Sequence, residues 1–324
     1  MRLNNGYLII SLDFELLWGV FDVLDYQKKR QYFKNTRLAI PETVKLFEKF
    51  QIHATWATVG MLFNENWDEW KENIPDSIPE YSNQDLNAYS FGNSILESNT
   101  EELCFAPKLI KQISQVAGQE IGTHTYSHYY CGEEGQDASH FEQDLLKAVD
   151  VAQKFDLNLK SLVFPRNQFK EDYLTICFDA GIQNVRSNPD AWYWKNVQSD
   201  SLITKLSRTG DAYLPFGNKG YSLPTKEKQS QLPVEQKASR FMRPFENNFL
   251  RNYKISRIKN EMEHAAKNDQ IYHLWWHPHN FGEKPIESLK DLQILLEHFE
   301  TLQNKYNFQS ANMDELDNLR TKPI

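Results

Sequence analysis

The 324-residue sequence predicts an α/β fold. We expect a barrel of strand–helix units that is either complete or lacks one such unit. Short apolar, β-rich runs alternate with segments of helical period, an order typical of parallel strands joined by crossover helices. About seven such units can be recognised, and barrels of this kind occupy roughly 250 residues or more as one unit. No linker divides the sequence, so we expect a single domain over residues 1–324.

Each element is predicted from its own apolar pattern. The strands are expected at 7–13, 53–59, 120–122, 161–164, 183–185 and 271–276. The helices are expected at 36–50, 107–117, 139–155, 171–180, 249–267 and 286–306. In the first helix, apolar residues recur at the spacing of one helical face, and we place Pro41 near the first turn, where its missing N–H is tolerated.

Two long segments interrupt the alternation. Residues 64–105 are rich in Trp, Glu, Asn and Pro, and residues 206–246 are rich in Gly, Pro, Lys and Arg. Connections of this length are usually functional, and the loops that follow the strand ends build the site of a barrel enzyme. We therefore expect both segments to be insertions at the mouth of the barrel.

Charge and cysteine content narrow the possible partners and compartments. The 36 basic and 44 acidic residues give a net charge of −8. Proteins that bind nucleic acid usually carry an excess of basic residues, so we do not expect nucleic acid as a partner. The widely spaced Cys104, Cys131 and Cys177 fit neither a disulfide framework nor a zinc knuckle, which favours a reducing compartment.

Because Asp13 and Glu15 interrupt the first apolar run, we expect a strand there and no signal peptide. No window approaches the ~20 apolar residues of a membrane span, so a cytoplasmic protein is expected.

The first candidate constellation is a pair of carboxylates at the end of the first strand. Side chains two positions apart on an extended chain point to the same face, so Asp13 and Glu15 can reach into one cavity while Phe14 packs on the other side. A solvated strand end is the simpler interpretation of this pair taken alone.

The second constellation is His124 and His128, which follow another short strand. Two imidazoles four positions apart converge on one metal ion if the segment forms a helical or turn-like loop. An isolated pair with this spacing is more often coincidental than functional.

Two further motifs also follow strand ends. They are Phe-Pro-Arg-Asn at 164–167, which contains Arg166, and Trp-Trp-His-Pro-His at 275–279, which contains His277 and His279. An arginine at such a place is usually surface charge, and a tryptophan–histidine cluster is often a packed aromatic edge. All four constellations, however, lie at the carboxyl ends of predicted parallel strands, where barrel enzymes place their catalytic groups.

The sequence resembles the polysaccharide deacetylases with nodulation-deacetylase homology, also called carbohydrate esterase family four. His-Thr-Tyr-Ser-His at 124–128 matches the histidine motif of that family fully. The resemblance extends in the family's order through Ser-Leu-Asp-Phe-Glu at 11–15, the strand at 54–60, and the motifs at 164–167 and 275–279.

The resemblance implies a deformed barrel of about seven strands that holds one divalent ion through an acidic residue and two histidines. The implied metal histidines are His124 and His128. Asp13 corresponds to the general base, and Arg166 to the arginine that pairs with that base and orients it. The late histidine, a general acid for the leaving amine, corresponds to His277, with His279 as the alternative.

The acidic motif departs from the commoner pattern of two adjacent aspartates. Here Asp13 is separated from Glu15 by Phe14, a spacing that still directs both carboxylates inward. We therefore assign Glu15 as the third metal ligand, with exchanged roles for Asp13 and Glu15 left open.

These groups are sufficient for metal-assisted amide hydrolysis. A three-ligand ion with open positions can lower the pKa of water toward ~7 and polarise an amide carbonyl. Asp13 would take the water's proton and His277 would protonate the departing nitrogen. A further segment at 186–192 contributes Asp190 and Trp192 as candidate substrate contacts, because sugars stack on aromatic rings and bind polar groups, although this segment is equally compatible with an ordinary loop.

The expected activity is removal of an N-acetyl, or O-acetyl, group from an amino sugar in a glycan or glycan precursor, in surface polysaccharide biosynthesis. Zinc is the expected ion, while cobalt, nickel and iron also suit such a donor set. Two alternatives remain at this point. One is hydrolysis of a cyclic amide or ureide, as in allantoinase-like relatives, and the other is a non-catalytic glycan-binding protein.

Overall fold

The computed structural model describes residues 5–189, 217–222, 231–246 and 250–321. Within them, nine strands belong to a single sheet. They are β1 Tyr7–Phe14, β2 Ala54–Thr58, β3 Gln119–Thr123, β4 Ser161–Val163, β5 Asn184–Ser187, β6 Val234–Lys237, β7 Arg240–Phe241, β8 Ile271–Trp276 and β9 Gln309–Ala311.

Ten helices of the described residues connect or flank these strands. They are α1 Arg30–Phe50, α2 Trp67–Glu72, α3 Ala88–Ile95, α4 Glu101–Cys104, α5 Pro107–Ser114, α6 Ala138–Gln153, α7 Leu174–Asp179, α8 Leu250–Lys267, α9 Pro285–Tyr306 and α10 Met313–Thr321. The predicted alternation of strands and helices is therefore confirmed.

The strands curl into a barrel that is closed by one chain segment. The strand order is β6-β5-β4-β3-β2-β1-β8-β7, and every pairing along this path is parallel. β6 pairs with β5 and β7 pairs with β8, although only Ala238 and Ser239 separate β6 from β7. The N–H of Ala238 bonds to the carbonyl of Ser187, and that of Ser239 to the carbonyl of His273, at 2.9 and 2.8 Å. The segment containing β6 and β7 thus occupies the seventh position of the ring.

The core forms where the helices cover the outer face of the sheet. β1 has seven consecutive buried residues, as expected for a strand that is covered on both faces. In α1, Phe33, Ile40, Val44 and Phe47 recur on one face and are buried. This helix begins at Arg30, so Pro41 lies inside it and not in the first turn as predicted. Burial of the apolar face stabilises the helix and offsets the loss of the backbone hydrogen bond that proline removes.

The two segments predicted as loop insertions contain regular secondary structure. The segment 64–105 contains α2, α3 and α4, and Trp70 of α2 stacks on Trp18 with ring centroids 6.2 Å apart. Gly92 of α3 allows this packing, since a Cβ there would overlap the ring of Trp70. The described part of 206–246 supplies β6 and β7 and so belongs to the barrel itself. Neither β9 nor α10 was predicted.

The carboxyl ends of β1, β3, β4, β5 and β8 meet at the same rim of the barrel, because these strands run parallel. The chain turns sharply after several of them. No helix among the described residues combines the length and the apolar character needed to cross a bilayer.

Candidate active site

The two carboxylates predicted at the end of the first strand lie inside the barrel rim. Asp13 is in β1 and Glu15 follows directly after it, and each residue is only 2% exposed. The intervening Phe14 packs edge-on against Trp56 at 6.1 Å. Immediately after Glu15, Leu16 takes a left-handed backbone conformation with φ 46°, which ends the strand.

Glu15 meets both histidines of the His-Thr-Tyr-Ser-His motif. Its Oε2 lies 3.4 Å from Nε2 of His124 and 3.2 Å from Nε2 of His128. These three residues form a buried group whose donor atoms all lie within 4.8 Å of one another. Glu15 Oε2 and His124 Nε2 are both buried and neither has a hydrogen-bond partner among the described residues. Buried polar atoms normally have partners, so this geometry fits a cation between them.

A neighbouring carbonyl fixes the orientation of the His124 ring. Its Nδ1 donates a hydrogen bond to the carbonyl oxygen of Val163 at 2.7 Å. Because Nδ1 carries the proton, Nε2 presents its lone pair to Glu15, which is the arrangement common in metal-binding histidines. One carboxylate and two neutral imidazoles are a donor set suited to zinc and related divalent ions.

The loop that carries the two histidines is turn-like and not helical. Thr125 and His128 have φ values of 63° and 60°. Asp144 of α6 holds the residues between the two histidines: its carboxylate accepts hydrogen bonds from the N–H of Tyr126 at 2.7 Å and from the Ser127 hydroxyl at 2.5 Å. The loop between the two histidines is thus tied to an adjacent helix.

The charges of the site are set by burial and by its neighbours. Burial alone would raise the pKa of Glu15, but the imidazoles of His277, His124 and His128 outweigh it, and the pKa lies well below its ordinary value. Burial lowers the pKa of His128, against the opposing effect of Glu15. Glu15 is therefore ionised and the imidazole of His128 is favoured in its neutral form, as metal binding requires.

Arg186, at the end of β5, is the partner of Asp13. Its NH1 and NH2 groups donate to Oδ1 and Oδ2 of Asp13 at 2.7 and 2.8 Å, in a two-pronged arrangement. Burial would raise the pKa of Asp13, but Arg186 outweighs it and the pKa is lowered. Arg186 also donates to the Ser11 hydroxyl at 3.0 Å, and Ser11 in turn contacts Nε2 of His273 at 2.8 Å. The guanidinium lies 4.3 Å from the ring centroid of Trp275.

The predicted pairing of Arg166 with Asp13 is therefore corrected. Arg166 forms an ion pair with Asp22 and lies over the ring of Tyr130 at 4.3 Å. Arg166 follows β4 and Arg186 lies at the carboxyl end of β5, so position along the sequence could not separate them. The curvature of the sheet decides the pairing, because it sets which strand end lies close to Asp13. Arg186, in β5, lies within hydrogen-bonding distance of Asp13, whereas Arg166 pairs with Asp22.

His277 and His279 lie on the other side of Glu15. Nε2 of His277 is 3.6 Å from Oδ2 of Asp13 and 3.8 Å from Oε1 of Glu15. Nδ1 of His279 is 3.4 Å from the same Oε1, and burial lowers the pKa of His279 to about 4. The side chain of His277 is 24% exposed, against 6% or less for His279, Asp13 and Glu15. Among these residues, His277 marks the side open to solvent.

Backbone strain is concentrated around this site. Ten described residues other than glycine have a positive φ, and half of them lie here: Leu16, Thr125, His128, Arg166 and Asn167. Such conformations cost of order 1–3 kcal/mol each and persist where the surroundings enforce them, often at functional sites. Of the remaining predicted site residues, Asp190 and Trp192 fall outside the described residues.

The family comparison agrees with the geometry. A family model described as polysaccharide deacetylase matches residues 31–185, which include the histidine motif and Arg166. Over these residues the chain is similar to the polysaccharide deacetylases. The resemblance inferred from the sequence motifs is thus confirmed, although Asp13, Glu15 and His277 lie outside the matched segment. No curated protein matches the sequence.

Several solved structures share the fold of this chain. A putative polysaccharide deacetylase from Mycobacterium smegmatis aligns with a TM-score of 0.61 and 11% identity, covering 99% of this chain and 96% of the other. A probable polysaccharide deacetylase from Pseudomonas aeruginosa PAO1 gives 0.56 and 9%, with coverage of 99% and 93%. The PuuE allantoinase gives 0.52 and 10%, with coverage of 91% and 83%. The predicted deformed α/β barrel is confirmed, whereas identities this low carry no information on substrate.

Proposed function

We propose that this protein is a metal-dependent hydrolase that removes an N-acetyl, or O-acetyl, group from an amino sugar in a glycan or glycan precursor during surface polysaccharide biosynthesis. The observation that supports it is the convergence of Glu15, His124 and His128 beside the ion pair of Asp13 with Arg186. A binding protein needs no such buried set of metal ligands, base and acid, which disfavours a non-catalytic role.

The proposal assigns a separate task to each group. When bound by Glu15, His124 and His128, a divalent ion would supply Lewis acidity for the acyl carbonyl and for a water molecule. Asp13, held ionised by Arg186, takes a proton from the water as its oxygen bonds to the acyl carbon. The geometry favours Glu15 over Asp13 as the metal ligand, because both oxygens of Asp13 are already engaged by Arg186.

His277 completes the reaction by protonating the nitrogen as the C–N bond breaks, so the products are a carboxylate and a free amine. Its position supports this task, since Nε2 faces Asp13 and Glu15 while the ring reaches the open side of the site. The ring is flanked edge-on by Phe241 and Trp275, at 5.6 and 5.7 Å. Aromatic rings beside a polar site are a common setting for sugar binding.

Zinc is the proposed ion, with cobalt, nickel or iron as further possibilities, because all suit imidazole and carboxylate ligands. A cytoplasmic location is also proposed. It is supported by Cys104, Cys131 and Cys177, which are all buried and unpaired, as is usual in a reducing compartment.

The direct test is an assay of purified protein on a panel of N-acetylated amino sugars and their glycans, alongside small cyclic amides such as allantoin. We expect acetate release from the sugars, its loss on thorough chelation, and its recovery on adding zinc. His124→Ala should remove both bound metal and turnover. Activity that survives complete metal removal would contradict the proposal, and product from the cyclic amides alone would favour the allantoinase-like alternative.

The two arginines provide a second test of the proposed machinery. Arg186→Met leaves the buried carboxylate of Asp13 unpaired, which costs about 3–5 kcal/mol when one partner of a buried pair is removed. We expect turnover to fall by about 10²–10⁴-fold, as for loss of a positioned base, while metal content is retained. Arg166→Met is the matched control and should cause a smaller loss, since Arg166 pairs with Asp22. Equal losses in kcat for the two variants would contradict the role given to Arg186.

A further inference from the structure

The two oxygens of Glu15 face two different pairs of histidines. Oε2 approaches His124 and His128, whereas Oε1 lies 3.4 Å from Nδ1 of His279 and 3.8 Å from Nε2 of His277. The donor atoms of Glu15, His277 and His279 all lie within 4.8 Å of one another and form a second group that shares only Glu15 with the first. The six donor atoms of these five residues thus form two groups and not one.

His279 has no task in the proposed hydrolysis. It is 5% exposed, and its Nδ1 is buried without a hydrogen-bond partner among the described residues. Buried nitrogens normally have a partner, so the orientation of this one toward Glu15 fits a ligand between them. The ring stacks on that of His277 at 4.9 Å with an interplanar angle of 13°, which directs nitrogens of both rings to the same carboxylate.

The spacing of these atoms matches a coordination sphere. Ligands bound at about 2.1 Å to a tetrahedral ion lie about 3.4 Å apart. The two separations from Glu15 Oε1, 3.4 Å to His279 and 3.8 Å to His277, are close to this value. Oδ2 of Asp13 lies 3.6 Å from Nε2 of His277 but accepts a hydrogen bond from Arg186, so the group has three protein donors.

We propose that Glu15, His277 and His279 form a second site for a divalent cation of the zinc type, with Glu15 bridging the two sites. Occupancy of this site engages Nε2 of His277, the atom that donates the proton in the hydrolysis proposed above. Excess zinc therefore inhibits the enzyme. This last consequence rests on the proposed function, whereas the existence of the second site does not.

Metal stoichiometry tests the site without reference to activity. Metal-free full-length protein is titrated with zinc, and bound metal is measured by equilibrium dialysis with elemental analysis. We expect two zinc ions per chain at saturation, and one for His279→Leu. His298→Leu, which replaces a histidine outside both groups, should still bind two. One ion in the wild type, or two in His279→Leu, would overturn the proposal.

A crystal soaked in excess zinc gives a second measurement, which stays decisive if His279→Leu fails to fold. Two anomalous peaks are expected, one on each side of Glu15, and a single peak would reject the second site. If the protein deacetylates sugars, excess zinc should lower turnover on the order of 100-fold, because a general acid typically accelerates such a reaction by at least that factor. A lack of any deacetylase activity would count against the proposed function alone, because the zinc count and the anomalous peaks decide the second site.

Discussion

The carboxylate of Glu15 is held in place by a glycine four positions later. A Cβ built on Gly19 would overlap the carboxyl group of Glu15, including Oε1. Gly19 ends the 3₁₀ turn Leu16–Gly19, in which Leu16, Leu17 and Trp18 are buried, so the backbone has little room to yield. The absence of a side chain at this position is therefore a requirement of the site.

We predict that Gly19→Ala weakens metal binding although no ligand is changed. The added methyl group must displace Glu15, and disturbing the support of a metal ligand typically costs about 10–100-fold in affinity. Zinc affinity measured by competition with a chromophoric chelator checks this expectation.

Gly181→Ala is the control for this prediction. Gly181 has φ 91° but open space around its Cβ position, so alanine strains the backbone without approaching the site. It should lower stability by about 1 kcal/mol and leave zinc affinity unchanged. If Gly19→Ala binds zinc as tightly as the wild type, the steric argument fails.

At the scale of elements, α6 positions the histidine loop through one buried side chain. The carboxylate of Asp144 accepts from the N–H of Tyr126, and from both the N–H and the hydroxyl of Ser127. The loop between His124 and His128 is thus tied to a helix that contributes no side chain to the proposed metal site. The spacing of the histidines is visible in the sequence, whereas this support is not, because the partners are 17 and 18 positions apart.

We predict that Asp144→Asn loosens this loop. Asparagine keeps the shape but turns an NH₂ group toward donors, which leaves at least one buried donor unsatisfied at a cost of about 1–3 kcal/mol. Urea unfolding should show that loss, and zinc affinity should fall with it. Asp150→Asn, on the exposed face of the same helix, should change the free energy of unfolding by less than about 0.5 kcal/mol. Identical stability of the two variants would be inconsistent with this role of Asp144.

At the scale of the whole molecule, the end of the barrel opposite the site is closed by α10. Glu120 of β3 accepts a hydrogen bond from the Thr55 hydroxyl of β2 at 2.5 Å and one from the N–H of Asp314, at the start of α10, at 3.3 Å. Burial raises the pKa of Glu120 from its ordinary 4.5 to about 7. One titratable group thus links two strands and the last helix.

We predict that stability falls as pH rises because of Glu120. Its pKa is higher in the folded than in the unfolded chain, so its stabilising contribution is complete below pH 4.5 and is lost as pH rises through about 7. Allowing for partial exposure, the free energy of unfolding should drop by about 2–3 kcal/mol between pH 5 and pH 8. Denaturant unfolding of the wild type at several pH values measures this slope.

Glu120→Gln should flatten that slope, because glutamine does not titrate in this range. Glu72→Gln, which removes an exposed carboxylate of α2, should leave the slope as in the wild type. A wild-type slope in the Glu120→Gln protein would assign the pH dependence to other groups.

The sequence by itself determined the alternation of strands and helices and singled out the residues proposed as metal ligands. β8 was predicted with its observed bounds, and the other five predicted strands and most of the predicted helices lie within a few residues of their expected places, because apolar periodicity is a local property. Asp13 and Glu15, and His124 and His128, also form local patterns. Because the members of each pair lie within a few residues of one another, the sequence alone was enough to predict a metal site.

Only the tertiary structure decided which distant residues meet. Arg186 and not Arg166 pairs with Asp13, since the curvature of the sheet sets which strand end reaches β1. The same curvature places β6 and β7 in the seventh position of the ring, although their short strands, set in a polar segment, gave no distinct pattern. The orientation of Glu15 between two histidine pairs likewise depends on three distant chain segments packing together. Local patterns encode elements, whereas contacts across the barrel depend on the path of the whole chain.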